Sequence, residues 1–394
     1  MADRTEEHST AGPGAGGAGR RYPMPERRQT WAEIDLGALK ANYAALRALA
    51  PAPPEVVPVV KAEAYGHGAV PVARALAEAG AAVFAVGAVE EGVALRRAGV
   101  AQDILVLSTT WSGQEPLALE HRLILAIDAP QSVAALDAAA REKGLQAPVH
   151  VKIDTGMGRL GVRGDLLGPL LDALRRAGRV VPDGVFTHLA RADEADPAFT
   201  EVQTRRFEAA LAALGERGLR PRRVHCANSA GLLYHPALRK WGARAGIALY
   251  GYAPGPLPPP VELRPVLSLQ TRVGPVRRIP AGEPVGYGGR FVASRPTCYA
   301  TLPIGYADGL PRGLSGNCRA IVSGRLVAVI GTISMDMVAV DLTDLPEARE
   351  GDVATLLGAG GGASLTAQAW AGPLGTIPYE ILCGISWRVP RLYT

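Results

Sequence analysis

Apolar and polar positions along this chain alternate between two periods over most of its length. Short apolar runs fall at 56–60, 81–87, 103–108, 123–129, 148–154, 184–190, 222–228 and 244–250. Runs of that length, bounded by glycine or charge, predict buried strands. Between several of them lie Ala- and Leu-rich stretches with helical spacing, at 130–143, 164–177 and 200–217, and a further helix is predicted at about 36–49. Eight strands alternating with helices between residues 31 and 250 fit a (β/α)8 barrel, typically ~250 residues long, better than an open doubly wound sheet. Past Tyr250 the pattern changes. Pro254 to Pro260 cannot continue a helix or a central strand and reads as a linker. Short strands follow at 266–273, 297–304, 318–331 and 335–342, with short helices near 366–371 and 376–381. The expected fold class is therefore α/β. A Gly-rich, disordered tail covers 1–30, a (β/α)8 TIM-type barrel 31–253, and a β-rich C-terminal domain 254–394.

Composition narrows the classes without naming one. The chain has 394 residues, 48% of them hydrophobic, which is ample for two domains. No apolar run approaches the ~20 residues of a membrane span, and the first thirty residues lack the apolar core of a signal peptide. The net charge of +5 comes mainly from scattered arginines. That describes a solvated surface, or a taste for an anionic ligand, rather than a nucleic-acid stripe. Cys226, Cys298, Cys318 and Cys383 show no metal spacing, so reduced, buried thiols and a cytoplasmic location are expected.

A barrel puts its chemistry at the C-terminal ends of its strands, and polar residues gather there. The run Val56-Val57-Pro58-Val59-Val60 ends on Lys61. A lysine there either snorkels to solvent or, desolvated, becomes a nucleophile toward carbonyls, pyridoxal phosphate (PLP) included. Tyr65 follows with a hydroxyl suited to a phosphate. Lys152 and Arg159 flank a glycine-rich run that reads either as a basic loop or as a cationic clamp for a carboxylate or phenolate. Two cations so close call for an anion between them, and a carbamate formed by CO2 on a neutral Lys152 would supply one. His188 and His225 lie on apolar strands, as satisfied core histidines or as ligand contacts. Asn228 and Ser229 open a helix after the seventh strand, as caps, as an anion site, or as both. Arg244, Gly246 and Ile247 lie on the last β/α connection, where barrels commonly bind phosphate. Tyr306, between glycines, reads as turn or as acid/base; Tyr379 only opens a helix behind a proline.

Together these residues resemble the PLP-dependent alanine racemase family, of fold-type III. The matching segments are Val59 to Gly68, Asp154 to Gly161, His225 to Ser229, Arg244 to Gly251, Gly305 to Gly309, Met335-Asp336 and Pro378 to Leu382, in order from Trp31 to the C-terminus. The resemblance implies interconversion of L- and D-alanine by two bases, supplying D-alanine for peptidoglycan, in a homodimer whose active sites are shared between subunits. By that resemblance Lys61 forms the covalent link to PLP. Tyr65, Ser229, Gly246, Ile247 and Tyr379 hold its phosphate, beside Asn228. Arg244 contacts the pyridine nitrogen with His188 behind it, and Arg159 contacts the phenolic oxygen and the substrate carboxylate. Lys152 takes the position carbamylated in many members. Tyr306, the second base, and Met335, through its amide, come from the other subunit. Glu63, Ser334 and Leu189 depart from the family pattern, and none of them touches the two bases.

Three other assignments share parts of this pattern. A fold-type III decarboxylase would place a carboxylate, not Arg244, at the pyridine nitrogen. A PLP homeostasis protein is a lone barrel without a second domain. A broad-specificity amino-acid racemase differs from the favoured assignment only in the room left around the substrate Cα.

Overall fold

The computed structural model of the chain describes residues 28–50, 56–109, 111 and 113–394. The tail expected over 1–30 thus lies, up to residue 27, outside the described residues. Arg28 is ion-paired with Asp308. Residues Thr30–Ile34 form the first strand, β1.

The barrel is built from β2 (Val56–Pro58), β3 (Val83–Val86), β4 (Asp103–Thr109), β5 (Ile124–Ile127), β6 (Ala147–Lys152), β7 (Val180–Phe186), β8 (Arg223–Ala227) and β9 (Gly242–Ala245). Every neighbouring pair is parallel, in the order β2-β9-β8-β7-β6-β5-β4-β3. A parallel bridge between Val59 and Ala85 joins the two ends, so the ring is nearly closed. β3 and β5 are buried at every position, because helices cover the outside while side chains fill the inside. Helices Leu36–Leu49 and Pro130–Lys143 have the predicted bounds. The first is capped by the Asp35 carboxylate, which accepts from the Ala38 amide at 2.7 Å.

Two barrel strands differ from expectation, and both differences matter for the site. The strand predicted at 184–190 runs from 180 to 186. Pro182 and Asp183 resemble a turn signal, yet β7 continues through them with a register shift against β6. His188 therefore lies beyond the strand, in the loop at the barrel mouth. The strand predicted at 244–250 stops at Ala245, and Ile247–Tyr250 coil into a single 3-10 turn.

The second domain is a mostly antiparallel sheet in the order 276–279, 297–302, 338–341, 325–330, 319–322, 353–360, 267–272, β1, 391–393. The run at 318–331 is a hairpin, not one strand: Ser323 and Gly324 both adopt positive φ, as a two-residue hairpin turn requires. β1 is one of several strands of this sheet that the apolar pattern did not announce, along with 276–279, 353–360 and 391–393. It pairs antiparallel with Leu267–Arg272 and parallel with Arg391–Tyr393, so both ends of the described chain are woven into this sheet.

Candidate active site

Lys61 stands where β2 meets the barrel mouth, and the chain turns sharply beyond it. Ala62, Glu63, Ala64 and Tyr65 all have φ between 51° and 55°, one turn of left-handed helix. For L-residues this costs roughly 1–2 kcal/mol each, so the turn persists only because its surroundings hold it. Glu91 accepts from the amides of Ala62 (2.7 Å) and Gly87 (2.6 Å). Arg391, from the last strand of the second domain, donates to the Gly66 carbonyl at 3.0 Å. Helix Pro378–Gly384 lies directly on the turn: a Cβ on Gly66 would overlap the Leu382 carbonyl. Burial, reinforced by the charge of Arg159, lowers the Lys61 pKa below its ordinary value of 10.5.

The turn delivers Tyr65 into a group of hydroxyls and amides. Its ring stacks on Tyr250 (4.8 Å between centroids) and meets Tyr379 at 5.9 Å. Ser229 Oγ accepts from the Gly246 amide at 2.9 Å, and a Cβ on Gly246 would lie 2.5 Å from Tyr65 Oη. Glycine is thus needed at 246 for space. Asn228 caps helix Ser229–Tyr234 through the Gly231 amide (2.9 Å) and donates to the Leu189 carbonyl (3.2 Å), so its side chain is committed to structure.

Arg244 is buried inside the barrel. Its terminal nitrogens reach the Thr187 carbonyl (2.6 Å), His188 Nδ1 (3.2 Å), His225 Nδ1 (2.9 Å) and the His225 carbonyl (3.1 Å). Phe186 lies under its guanidinium, 5.1 Å away. Burial first, then the charge of Arg244, keeps His188 and His225 well below the ordinary imidazole range. Neither carries charge at neutral pH.

Lys152, at the end of β6, donates to the Leu107 carbonyl at 2.8 Å. Burial, then Arg244 and Arg159, bring its pKa down to about 8. Arg159 itself is exposed, on a loop fastened by two aspartates. Asp154 accepts from the amides of Gly156 (2.9 Å) and Gly158 (3.1 Å), and Asp128 accepts from Gly161 (3.0 Å). Lys61, Lys152, Arg159 and Arg244 therefore share one mouth with little acidic compensation, which is the arrangement of an anion site.

Tyr306 and Met335 lie together elsewhere. The Tyr306 and Ala307 amides donate to the Ser334 and Met335 carbonyls, each at 3.0 Å, on an exposed edge of the second domain. The two residues are 42% and 53% exposed, and among the described residues no hydrogen bond or ring contact joins either to Lys61, Lys152 or Arg244. Within one chain, then, the barrel-mouth residues come together and these two do not. Of the four thiols, Cys226 and Cys318 are buried as expected, but Cys298 is half-buried and Cys383, near enough to Lys61 to feel its charge, is exposed. Residue typing alone missed Glu91, Asp128 and His150; only the spacing of Asp154 ahead of two glycines carries a local turn signal.

The Lys152 shift has a consequence for the cofactor-free protein. Its folded pKa of about 8 lies below the ordinary 10.5, so between these values the unfolded chain binds more protons and stability rises with pH. In CO2-free buffer, thermal melts should show Lys152→Met flattening that rise and raising the Tm at pH 7 by about 3 °C. Parallel pH profiles for wild type and variant would contradict the shift.

The chain matches the family models for the alanine racemase N-terminal domain over residues 34–254 and C-terminal domain over 266–393. It is 46% identical to the alanine racemase of Symbiobacterium thermophilum over 367 residues, 93% of this chain and 97% of that one. It is similar to the crystal structure of alanine racemase from Bacillus anthracis with bound L-Ala-P, with TM-score 0.88, 35% identity, and coverage of 94% of this chain and 96% of that one. It is also similar to alanine racemase from Bartonella henselae with covalently bound pyridoxal phosphate, with TM-score 0.84, 32% identity, and coverage of 93% and 100%. The eight-stranded parallel barrel followed by a mostly antiparallel domain is the expected architecture.

Proposed function

We infer the roles of the site residues from one premise: the chain belongs to the alanine racemase family, and the enzyme is a PLP-dependent isomerase of alanine. The residues present fit that cofactor. The observation that carries the assignment is the pairing of a half-buried, pKa-depressed amine with a hydroxyl-lined notch that only glycine leaves open at 246.

When bound, PLP withdraws electron density from the substrate Cα and acidifies its C–H bond. Lys61 Nζ, its pKa lowered by burial and by Arg159, would tie the cofactor to the protein and hold or return the proton on one face of Cα. The hydroxyls of Tyr65, Ser229 and Tyr379 and the amides of Gly246 and Ile247 bind the phosphate, while Asn228 holds the helix start that presents Ser229. Arg244 spends its terminal nitrogens on Thr187, His188 and His225, leaving Nε–H as the donor for the pyridine nitrogen. A donor there, instead of a carboxylate, keeps that nitrogen unprotonated and disfavours transamination. His188 stays neutral and accepts from Arg244. Arg159 orients the substrate carboxylate. Lys152, neutral in part near pH 8, adds to CO2 as an amine and loses a proton, giving a carbamate that turns one cation into an anion beside Arg159.

Racemisation needs a proton-transfer group on each face of Cα, and Lys61 serves only one. The second is Tyr306 of the partner subunit, with the amide of Met335 from the same subunit on the carboxylate. Support comes from the exposed cluster of Tyr306, Met335 and Met337 and its separation from Lys61 within one chain. The enzyme is thus proposed to be a homodimer with shared sites, working in the cytoplasm; among the described residues no helix is long and apolar enough to cross a membrane.

The test is a pair of racemisation assays on the PLP-loaded protein with L-alanine and L-serine. Alanine should turn over, with serine about 10²-fold lower in kcat/KM. Comparable rates would favour the broad-specificity alternative.

A further inference from the structure

Behind Arg244 the barrel interior holds two more histidines in series. His225 Nε2 lies 2.8 Å from His150 Nδ1, and His150 Nε2 lies 3.4 Å from an Asp183 carboxylate oxygen. Asp183 is held by Arg223 at 2.7 Å and Arg222 at 3.1 Å, at the end of the barrel opposite the mouth. We propose that His225, His150 and Asp183 form a hydrogen-bond chain of fixed direction that holds the Arg244 guanidinium against the cofactor's ring nitrogen. His150 and Asp183 are positioning residues, acting through His225 without touching cofactor or substrate. This rests on Arg244 facing that nitrogen.

The direction of the chain is forced at both ends. Arginine has only donors, so His225 Nδ1 must accept from Arg244, and a neutral His225 carries its proton on Nε2. That proton points at His150 Nδ1, which must accept and so carries its own proton on Nε2. The Asp183 carboxylate, which has only acceptors, takes that last proton's hydrogen bond. Burial keeps both imidazoles below their ordinary pKa, in keeping with neutral rings. Reversing the chain would set an N–H of His225 against an N–H of Arg244.

An independent observation shows that the position of His150 is built. Gly184 has no positive φ to explain it, yet a Cβ there would lie 2.5–2.6 Å from three atoms of the His150 ring. The glycine makes room for the imidazole. Two residues on, Phe186 stacks on His225 with planes 5° apart and centroids at 5.0 Å. One strand thus fixes both rings.

The wild-type chain can be read directly by 15N NMR of its histidines in the cofactor-free protein, which should show His150 and His225 neutral and protonated on Nε2. In the loaded enzyme, His150→Leu removes the acceptor for His225, Gly184→Ala displaces the ring, and His150→Gln restores an acceptor. The first two should raise the share of turnovers ending in pyruvate and the pyridoxamine form of the cofactor roughly tenfold, equivalent to about 1.4 kcal/mol. They should also move the 15N shift of labelled ring nitrogen toward its protonated value. His150→Gln should stay near wild type. Protonation of wild-type His225 on Nδ1, or unchanged partition and ring-nitrogen shift in Gly184→Ala, overturns the proposal. Arg244→Gln separates the premise: if it leaves the partition unchanged, the placement of Arg244 at the ring nitrogen fails and takes this proposal with it.

Discussion

Replacing Lys61 by alanine is expected to lower kcat/KM for alanine racemisation by about 10⁴-fold or more, in both directions alike. The size follows from the two roles proposed for one atom: the covalent tie to the cofactor and the proton carrier on one face of Cα. Borohydride reduction and mass spectrometry separate them, since wild type should gain the cofactor mass at Lys61 and Lys61→Ala should not. The fold should survive. The strain beyond Lys61 is held by Glu91, Arg391 and the Leu382 helix, none of which bonds the lysine amine, and the variant removes an amine that burial disfavours as a cation. Its cofactor-free Tm should therefore match or exceed that of wild type. Retained racemisation would remove Lys61 from the mechanism.

Tyr306→Phe should cost about 10²- to 10⁴-fold in racemisation, the range of a single general acid or base, with a different signature. The equilibrium constant between enantiomers is one, so kcat/KM must fall equally in both directions. Exchange of the Cα hydrogen with solvent deuterium breaks that symmetry. The enantiomer whose proton faces Lys61 should go on exchanging without inverting, whereas the other should exchange slowly. Tyr306 is 42% exposed in the single chain, so its hydroxyl contributes little to folding and the melt should not move. Equal loss of exchange in both enantiomers would show that Tyr306 positions rather than transfers.

Much of the barrel was readable because its signals are local. The Val56–Val60 run that ends on Lys61, and the helices 36–49 and 130–143, are each specified by their own residues. What stayed hidden depends on distant partners. β1 alternates buried and half-buried positions over only five residues, and only its pairing with 267–272 and 391–393 makes it a strand. Tyr379 gave a bare helix start, and it reaches Tyr65 only because the C-terminal helix lies on the left-handed turn. His150 looked like one residue of an apolar strand. Its meaning comes from Asp183, in a bulge that resembled a turn, and from a glycine on the next strand. The left-handed turn at 62–65 has no signature in Ala-Glu-Ala-Tyr, since those residues ordinarily avoid it.

Each active site is proposed to draw Lys61 from one subunit and Tyr306 from the other, and mixing of subunits separates this from a site built within one chain. Purified Lys61→Ala and Tyr306→Phe proteins, each nearly inactive, are unfolded together, refolded with PLP and assayed on L-alanine. With shared sites, half of the dimers are mixed, and each mixed dimer has one fully wild-type site, so about a quarter of wild-type activity should return. If both bases came from one chain, every site in the mixture would still lack one of them, and activity would stay at the level of the separate variants.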